Sequence, residues 1–169
     1  SREKGRFLRS LHFHNDEHFD ADTTVDASVF GIFYFGAFDV NDEMVQNTMR
    51  AVEKHLWIPT EIGGVARFEN DSCMRVSDKV TGNAWFICTL WLADYRIAVA
   101  KKKADLKGVI EILEWTAKRA LPSGVLAEQV DPLTGEHASV SPLTWSHSTF
   151  VATVVNYLKK LRELEQSNE

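Results

Sequence analysis

The residues best suited to chemistry lie between positions 123 and 148, SGVLAEQVDPLTGEHASVSPLTWSHS. A carboxylate–amide pair, Glu128–Gln129, is followed by a turn at Asp131-Pro132-Leu133-Thr134-Gly135 and a helix start at Pro142-Leu143-Thr144-Trp145. Long loops in compact chains are usually functional or disordered. This one holds too many apolar and aromatic residues for disorder. A carboxylate accepts hydrogen bonds from hydroxyls, and an indole offers an apolar face with one N–H. Glu128 followed by Trp145 and His147 therefore has the make-up of a sugar-handling site. Taken alone, Glu128 reads as an ordinary loop carboxylate.

A second irregular stretch, 57–82, contains Gly63-Gly64, Arg67 and Asp71. Arg67 could simply pair with Glu69 or Asp71, an interaction worth little if exposed. Trp57, Trp91 and Trp115 fall at helical spacing in apolar or amphipathic runs and read as core or inter-helix packing. His12, His14 and His18 form an H-x-H-x3-H group, but no carboxylate-rich pattern accompanies them, so no metal and no cofactor is expected. Cys73 and Cys88 lack metal or redox spacing, which favours reduced thiols in a cytoplasmic protein. Cys88, in an apolar run, reads as a packed thiol.

The 169 residues make one domain-sized unit with room for a substantial core. A formal charge of −5 gives no electrostatic footprint for nucleic acid. The one basic run, Lys101-Lys102-Lys103, reads as a solvated helix end. Asp94 and Arg96 interrupt the longest apolar run, so no membrane span is expected. No signal peptide opens the chain. Its start, SREKGR, reads as the middle of a helix, and a fragment of a longer protein is expected.

Six helical segments should position these residues. Residues 2–11 read as the end of an amphipathic helix, and 12–24 as polar and irregular. The run 25–38, VDASVFGIFYFGAF, is apolar nearly all round and reads as a buried helix with Asp26 as its cap. An amphipathic helix over 42–56 follows, with Asn41 as N-cap. Asn83 caps a second all-round apolar helix over 84–100, then come an amphipathic helix over 104–121 and a last one over 143–165. Apolar and amphipathic helices alternate, as when an inner ring is sheathed by an outer one. Joints from inner to outer helices are short, and those from outer to inner are long. The three long loops should therefore meet at one end, with the inner helices' positive N-termini facing it.

Three segments resemble family 15 glycoside hydrolases, the glucoamylase, glucodextranase and trehalase family. They are GGVARFEND (63–71) continuing into GNAWFICTLWLA (82–93), then LAEQVDPLTGEHASVSPLTWSHS (126–148), and, most weakly, VDAS (25–28). Helix packing alone does not require E-Q, a D-P-x-T-G turn and S-P-L-T-W-S in succession.

The resemblance implies an all-α fold, an (α/α)6 barrel, of which residues 1–169 form about half, the C-terminal part of the catalytic domain. It implies hydrolysis with inversion, which needs an acid for the leaving oxygen and a base for water. Glu128 matches the general base. The general acid belongs to a Trp-Glu motif that this chain lacks, so it is expected upstream, and the isolated chain is expected to be inactive. Arg67 matches an arginine that binds sugar hydroxyls, Asp71 the acid that holds it or a hydroxyl, and Trp85 and Trp145 pocket aromatics. Cys73 departs from the family's usual Tyr. The implied substrates are α-linked glucans, maltooligosaccharides or trehalose. A non-catalytic module binding carbohydrate or protein through the same loops is the alternative. Half a ring leaves apolar faces bare, so self-association is expected.

Overall fold

The structure is a computed structural model that describes residues 1–15 and 18–167. It is mostly helical, and α3 (Phe86–Val99) stands at its centre. Nearly every α3 side chain is buried, from Phe86 to Asp94, which is why its sequence shows no polar face. Packed around α3 are α5 (Thr144–Gln166), α4 (Lys107–Lys118), α2 (Glu43–Leu56) and a 3-10 turn at Ala27–Phe30. The amphipathic helices bury one stripe each: Val45, Met49, Val52 and Leu56 of α2, and Val109, Ile112 and Trp115 of α4. Small buried residues of α5 at helical spacing, Ser146, Thr149 and Thr153, let it lie close to α3.

Three expectations are corrected. Residues 2–11 do not end a helix. They lead into β1 (Ser10–Phe13), which pairs antiparallel with β2 (Phe19–Asp22) in a hairpin. The run 25–38 is not one helix but the 3-10 turn and a single helical turn, α1 (Gly31–Tyr34). Its start is drawn out by pairing with the 67–69 segment: Ala27 N–H donates to Arg67 O at 2.8 Å, and Glu69 N–H to Val25 O at 3.0 Å. Gly36, with φ of 76°, ends it. Asp26 does cap the turn, accepting from Ser28 N–H at 2.8 Å. Nor do Asn41 and Asn83 cap helices. Asp42 caps α2 through Met44 N–H, and Asn83 is buried in a side-chain network behind the candidate site.

Short strands replace what reads as pure loop. β3 (Ala84–Trp85), β4 (Gln129–Val130) and β5 (His137–Ala138) form a small antiparallel sheet that joins the two long loops at the head of α3. The exposed side of α5 carries Val151, Val155 and Leu158. No described helix is long and apolar enough to cross a membrane.

Candidate active site

The long loops meet where α3 and α5 begin. A glycine sets the first. Gly64 has φ of 95°, and a Cβ there would stand 2.7 Å from both Ala84 Cβ and Trp115 Cζ2. Only glycine allows that approach. The loop then pairs with its neighbours through Trp85 N–H to Val65 O and Ala66 N–H to Leu56 O, both at 2.9 Å. These bonds deliver Arg67 to the rim.

The second loop is sewn to both helix starts. Phe86 N–H donates to Glu128 O, Leu126 N–H to His147 Nε2 at 3.1 Å, and Ser146 Oγ to Ala127 O at 2.7 Å. His147 thus serves as a brace for the loop. The D-P-L-T-G turn folds because Asp131 Oδ1 accepts from Leu133 and Thr134 N–H groups, the usual reason for aspartate at such a turn. It returns the chain as β5, and Ser139 follows beside Glu128.

Arg67, Trp85, Glu128 and Trp145 line one cavity of about 310 Å³, together with Arg9, Asp26, Phe68 and Trp91 among others. Asp71 is not in its wall. It is buried behind Arg67 and takes both arms of the guanidinium, Nε to Oδ2 at 3.0 Å and Nη2 to Oδ1 at 2.8 Å. This pairing raises the Arg67 pKa above its usual value against the opposing effect of burial. Arg67 also lies over Trp85, 4.5 Å from the ring centroid. The fork is thereby fixed on two sides.

Glu128 is held differently. Ser139 Oγ and Gln129 Nε2 both donate to its Oε2, the latter at 3.2 Å. Gln129 is itself fully buried and anchored by Asn83 Nδ2 at 2.8 Å. Cys73, at the position that departs from the resemblance, touches the same amide, its Sγ 3.6 Å from Gln129 Nε2. Oε1 of Glu128 takes no hydrogen bond from the described residues, so it is open to a ligand. Among the described residues Trp85 Nε1 is buried without a hydrogen-bond partner.

Sequence reasoning missed Arg9 and gave Asp26 only a capping role. Arg9 Nε stands 3.1 Å from Asp26 Oδ2, and the guanidinium lies over Phe68. Reading 2–11 as a helix hid Arg9. Trp91 and Trp115 are buried as expected, but Trp57 is 37% exposed. His14 pairs with Asp20 on the hairpin, and among the described residues no group of three or more metal-ligating side chains gathers. Both cysteines are free thiols, and burial pushes that of Cys88 well up.

The family model for glycosyl hydrolases family 15 matches residues 9–155. An uncharacterized glycosyl hydrolase of Methanocaldococcus jannaschii is 32% identical over 143 residues, covering 79% of this chain and 22% of that protein. A bacterial glucoamylase complexed with acarbose shares the fold, with a TM-score of 0.71 at 23% identity over 91% of this chain and 23% of that one. A glycosidase solved as the wild type gives 0.65 at 26% identity, over 85% of this chain and 39% of the other. The chain thus spans less than half the length of these relatives. With the family match running through every loop that builds the cavity, this chain belongs to glycosyl hydrolase family 15.

Proposed function

We propose that Glu128 is the general base of an inverting, glucoamylase-like hydrolase that releases glucose from α-linked glucans or oligosaccharides. The observation that carries this reading is the free Oε1 of Glu128 in a cavity walled by Trp85, Trp145 and the fixed fork of Arg67. Oε1 takes the proton of a water that attacks the anomeric carbon. Arg67, held by Asp71 and backed by the Trp85 ring, donates to sugar hydroxyls, and the exposed indole of Trp145 packs on a sugar C–H face.

Inversion needs a second carboxyl group roughly 6.5–9.5 Å away, protonated and able to donate. Asp26 is the other carboxylate in the cavity wall, and both its oxygens are engaged, by Arg9 and by Ser28 N–H, so neither is placed to donate to a leaving oxygen. The acid is supplied by an upstream part of the enzyme. In this reading the 169 residues are the C-terminal half of an (α/α)6 barrel, and Val151, Val155 and Leu158 of α5 pack on the rest. The chain by itself self-associates through that face; a clean monomer in light scattering at micromolar concentration would count against this.

Glucose release from maltose, maltotriose, isomaltose and trehalose tests the assignment, comparing this chain with a version extended upstream. In the extended form Glu128→Gln should lower kcat by about 10²–10⁴-fold. Full activity of Glu128→Gln removes the base assignment. Trehalose as the best substrate makes the enzyme a trehalase. If the extended form cleaves nothing, a carbohydrate-binding module takes its place.

A further inference from the structure

Trp57, expected in the core, stands instead on the wall of a groove that shares no lining residue with the Glu128 cavity. Two hollows of about 450 and 460 Å³ have Trp57, Arg96 and Glu111 in common, so they form one groove between α2, α4 and the 57–63 loop. Their sizes lie within the range of small-molecule sites, ~300–1,000 Å³.

The groove is built before any ligand arrives. The Trp57 ring lies against Gly63, where a Cβ would come within 3.0 Å of its Cζ2. Its backbone is fixed by a bridge to Val65. On the other wall Trp115 Nε1 donates to Ile62 O at 2.7 Å, and Arg119 lies over Trp115 while donating to the same carbonyl. The indole N–H of Trp57, a residue 37% exposed, makes no hydrogen bond among the described residues.

Charge indicates what the groove takes. Arg96 pairs with Glu53, and Lys118 with Glu114 at 3.1 Å. Glu61 and Glu111 have no ionic partner among the described residues, and Lys54 and Arg119 complete the charged lining. Four carboxylates thus meet four cationic side chains. A balanced lining gives no net attraction to nucleic acid or to a polycation. It offers many acceptors and donors beside a flat apolar ring, which suits a neutral polyhydroxyl chain.

We propose that this groove is a second saccharide-binding site, taking a stretch of neutral glucan chain on a face apart from the Glu128 cavity. The class of sugar rests on the glucan-hydrolase reading given above; the groove itself does not. It would hold a polymer near the cavity and leave disaccharides unaffected.

Native electrophoresis of this chain in gels containing soluble starch tests it, with mobility referred to a gel without polysaccharide. The chain should be retarded, and Trp57→Ala should weaken starch binding about tenfold. Glu111→Gln, on the exposed face of α4, should weaken it about threefold and keeps the test decisive if Trp57→Ala fails to fold. Phe13→Ala, at an exposed position of the β1–β2 hairpin outside both the groove and the cavity, should leave retardation unchanged. Retardation that survives both groove variants, or that falls as far with Phe13→Ala, overturns the proposal, as does an unretarded chain. Maltose hydrolysis that depends on Glu128 beside an unretarded chain would sink the groove only. Retardation lost with Trp57→Ala, in an enzyme that cleaves no sugar, would uphold the groove and sink the hydrolase reading.

Discussion

The two long loops that lead into α3 and α5 hold their ions in opposite ways. In the first, Arg67 is matched by an ion of opposite sign: Asp71, 1% exposed, grips the guanidinium with both oxygens. In the second, Glu128 is met, among the described residues, only by the neutral hydroxyl of Ser139 and the amide of Gln129. Arg9 and Asp26, the remaining ions in the cavity wall, pair with each other. A neutralised guanidinium contributes position and direction. A carboxylate met by two donors on one oxygen has its other oxygen open toward the cavity. The first loop therefore supplies shape to the cavity, and in the proposed function the second supplies reactivity.

The comparison breaks most readily at the glycines. Gly64 and Gly124, one from each loop, both have positive φ, but Gly64 is wedged against Ala84 and Trp115 while Gly124 has open space around it. Gly64→Ala combines backbone strain with overpacking and should cost about 2–5 kcal/mol. Gly124→Ala incurs only the left-handed backbone penalty, about 1 kcal/mol. Urea midpoints of the two variants measure the gap. Equal losses would mean that the first loop is not steric in its rigidity.

The helices behind the loops differ too, and Asp94 joins them. It is buried on α3, and Thr153 and Asn156 of α5 reach its two oxygens at 3.0 Å. Burial raises its pKa against the lowering effect of those bonds. A raised folded-state value means that the native state holds the proton over a window where the unfolded chain has released it. The associated stability is full below the ordinary carboxylate pKa and is lost as pH rises through the raised value. Thr153 Oγ1 also lies 2.9 Å from Thr149 O and has one proton to give, so a protonated Asp94 completes the network. Asp94→Asn supplies that N–H at every pH. It should add about 1 kcal/mol at pH 7, with the advantage shrinking as pH falls toward 4. Unfolding curves of both forms across that range check the sign.

How much of this was legible follows from where each pattern's partners lie. α2, α4 and α5 write their burial into 3.6-residue stripes, and α3 announces itself by having no polar face. Residues 25–27 are extended because 67–69 bond to them, a long-range fact that local apolarity cannot reveal. The hairpin of β1 and β2 leaves Leu11, Phe13 and Phe19 exposed, so no alternation between buried and exposed positions marks it. In the site, Glu128, Arg67, Trp85 and Trp145 were legible through motifs, since spacing alone does not bring together residues from separate loops. Asp71 was legible as a neighbour of Arg67 but not as a buried one. Trp57 follows directly on buried Leu56, and one more step along the chain turned it outward.

The finest difference between the loops lies at Ser139, where reactivity and strain meet. Its φ is 63°, a left-handed conformation for a residue with a Cβ, and its hydroxyl donates to Glu128. Ser139→Ala removes the hydroxyl and keeps the Cβ in that conformation. Ser139→Gly removes both the hydroxyl and the strain. The glycine variant should therefore be more stable than the alanine variant by about 1 kcal/mol, read from their melting midpoints. Activity should not follow that order. Both variants leave Oε2 with Gln129 alone, whose amide is anchored by Asn83, so in the upstream-extended enzyme each should lose the same small factor in kcat, less than about tenfold. Equal kcat with unequal stability would assign the hydroxyl to Glu128 and the strain to the backbone. A glycine variant slower than the alanine one would instead mean that the Cβ itself holds the loop, and that the second loop, like the first, acts through shape.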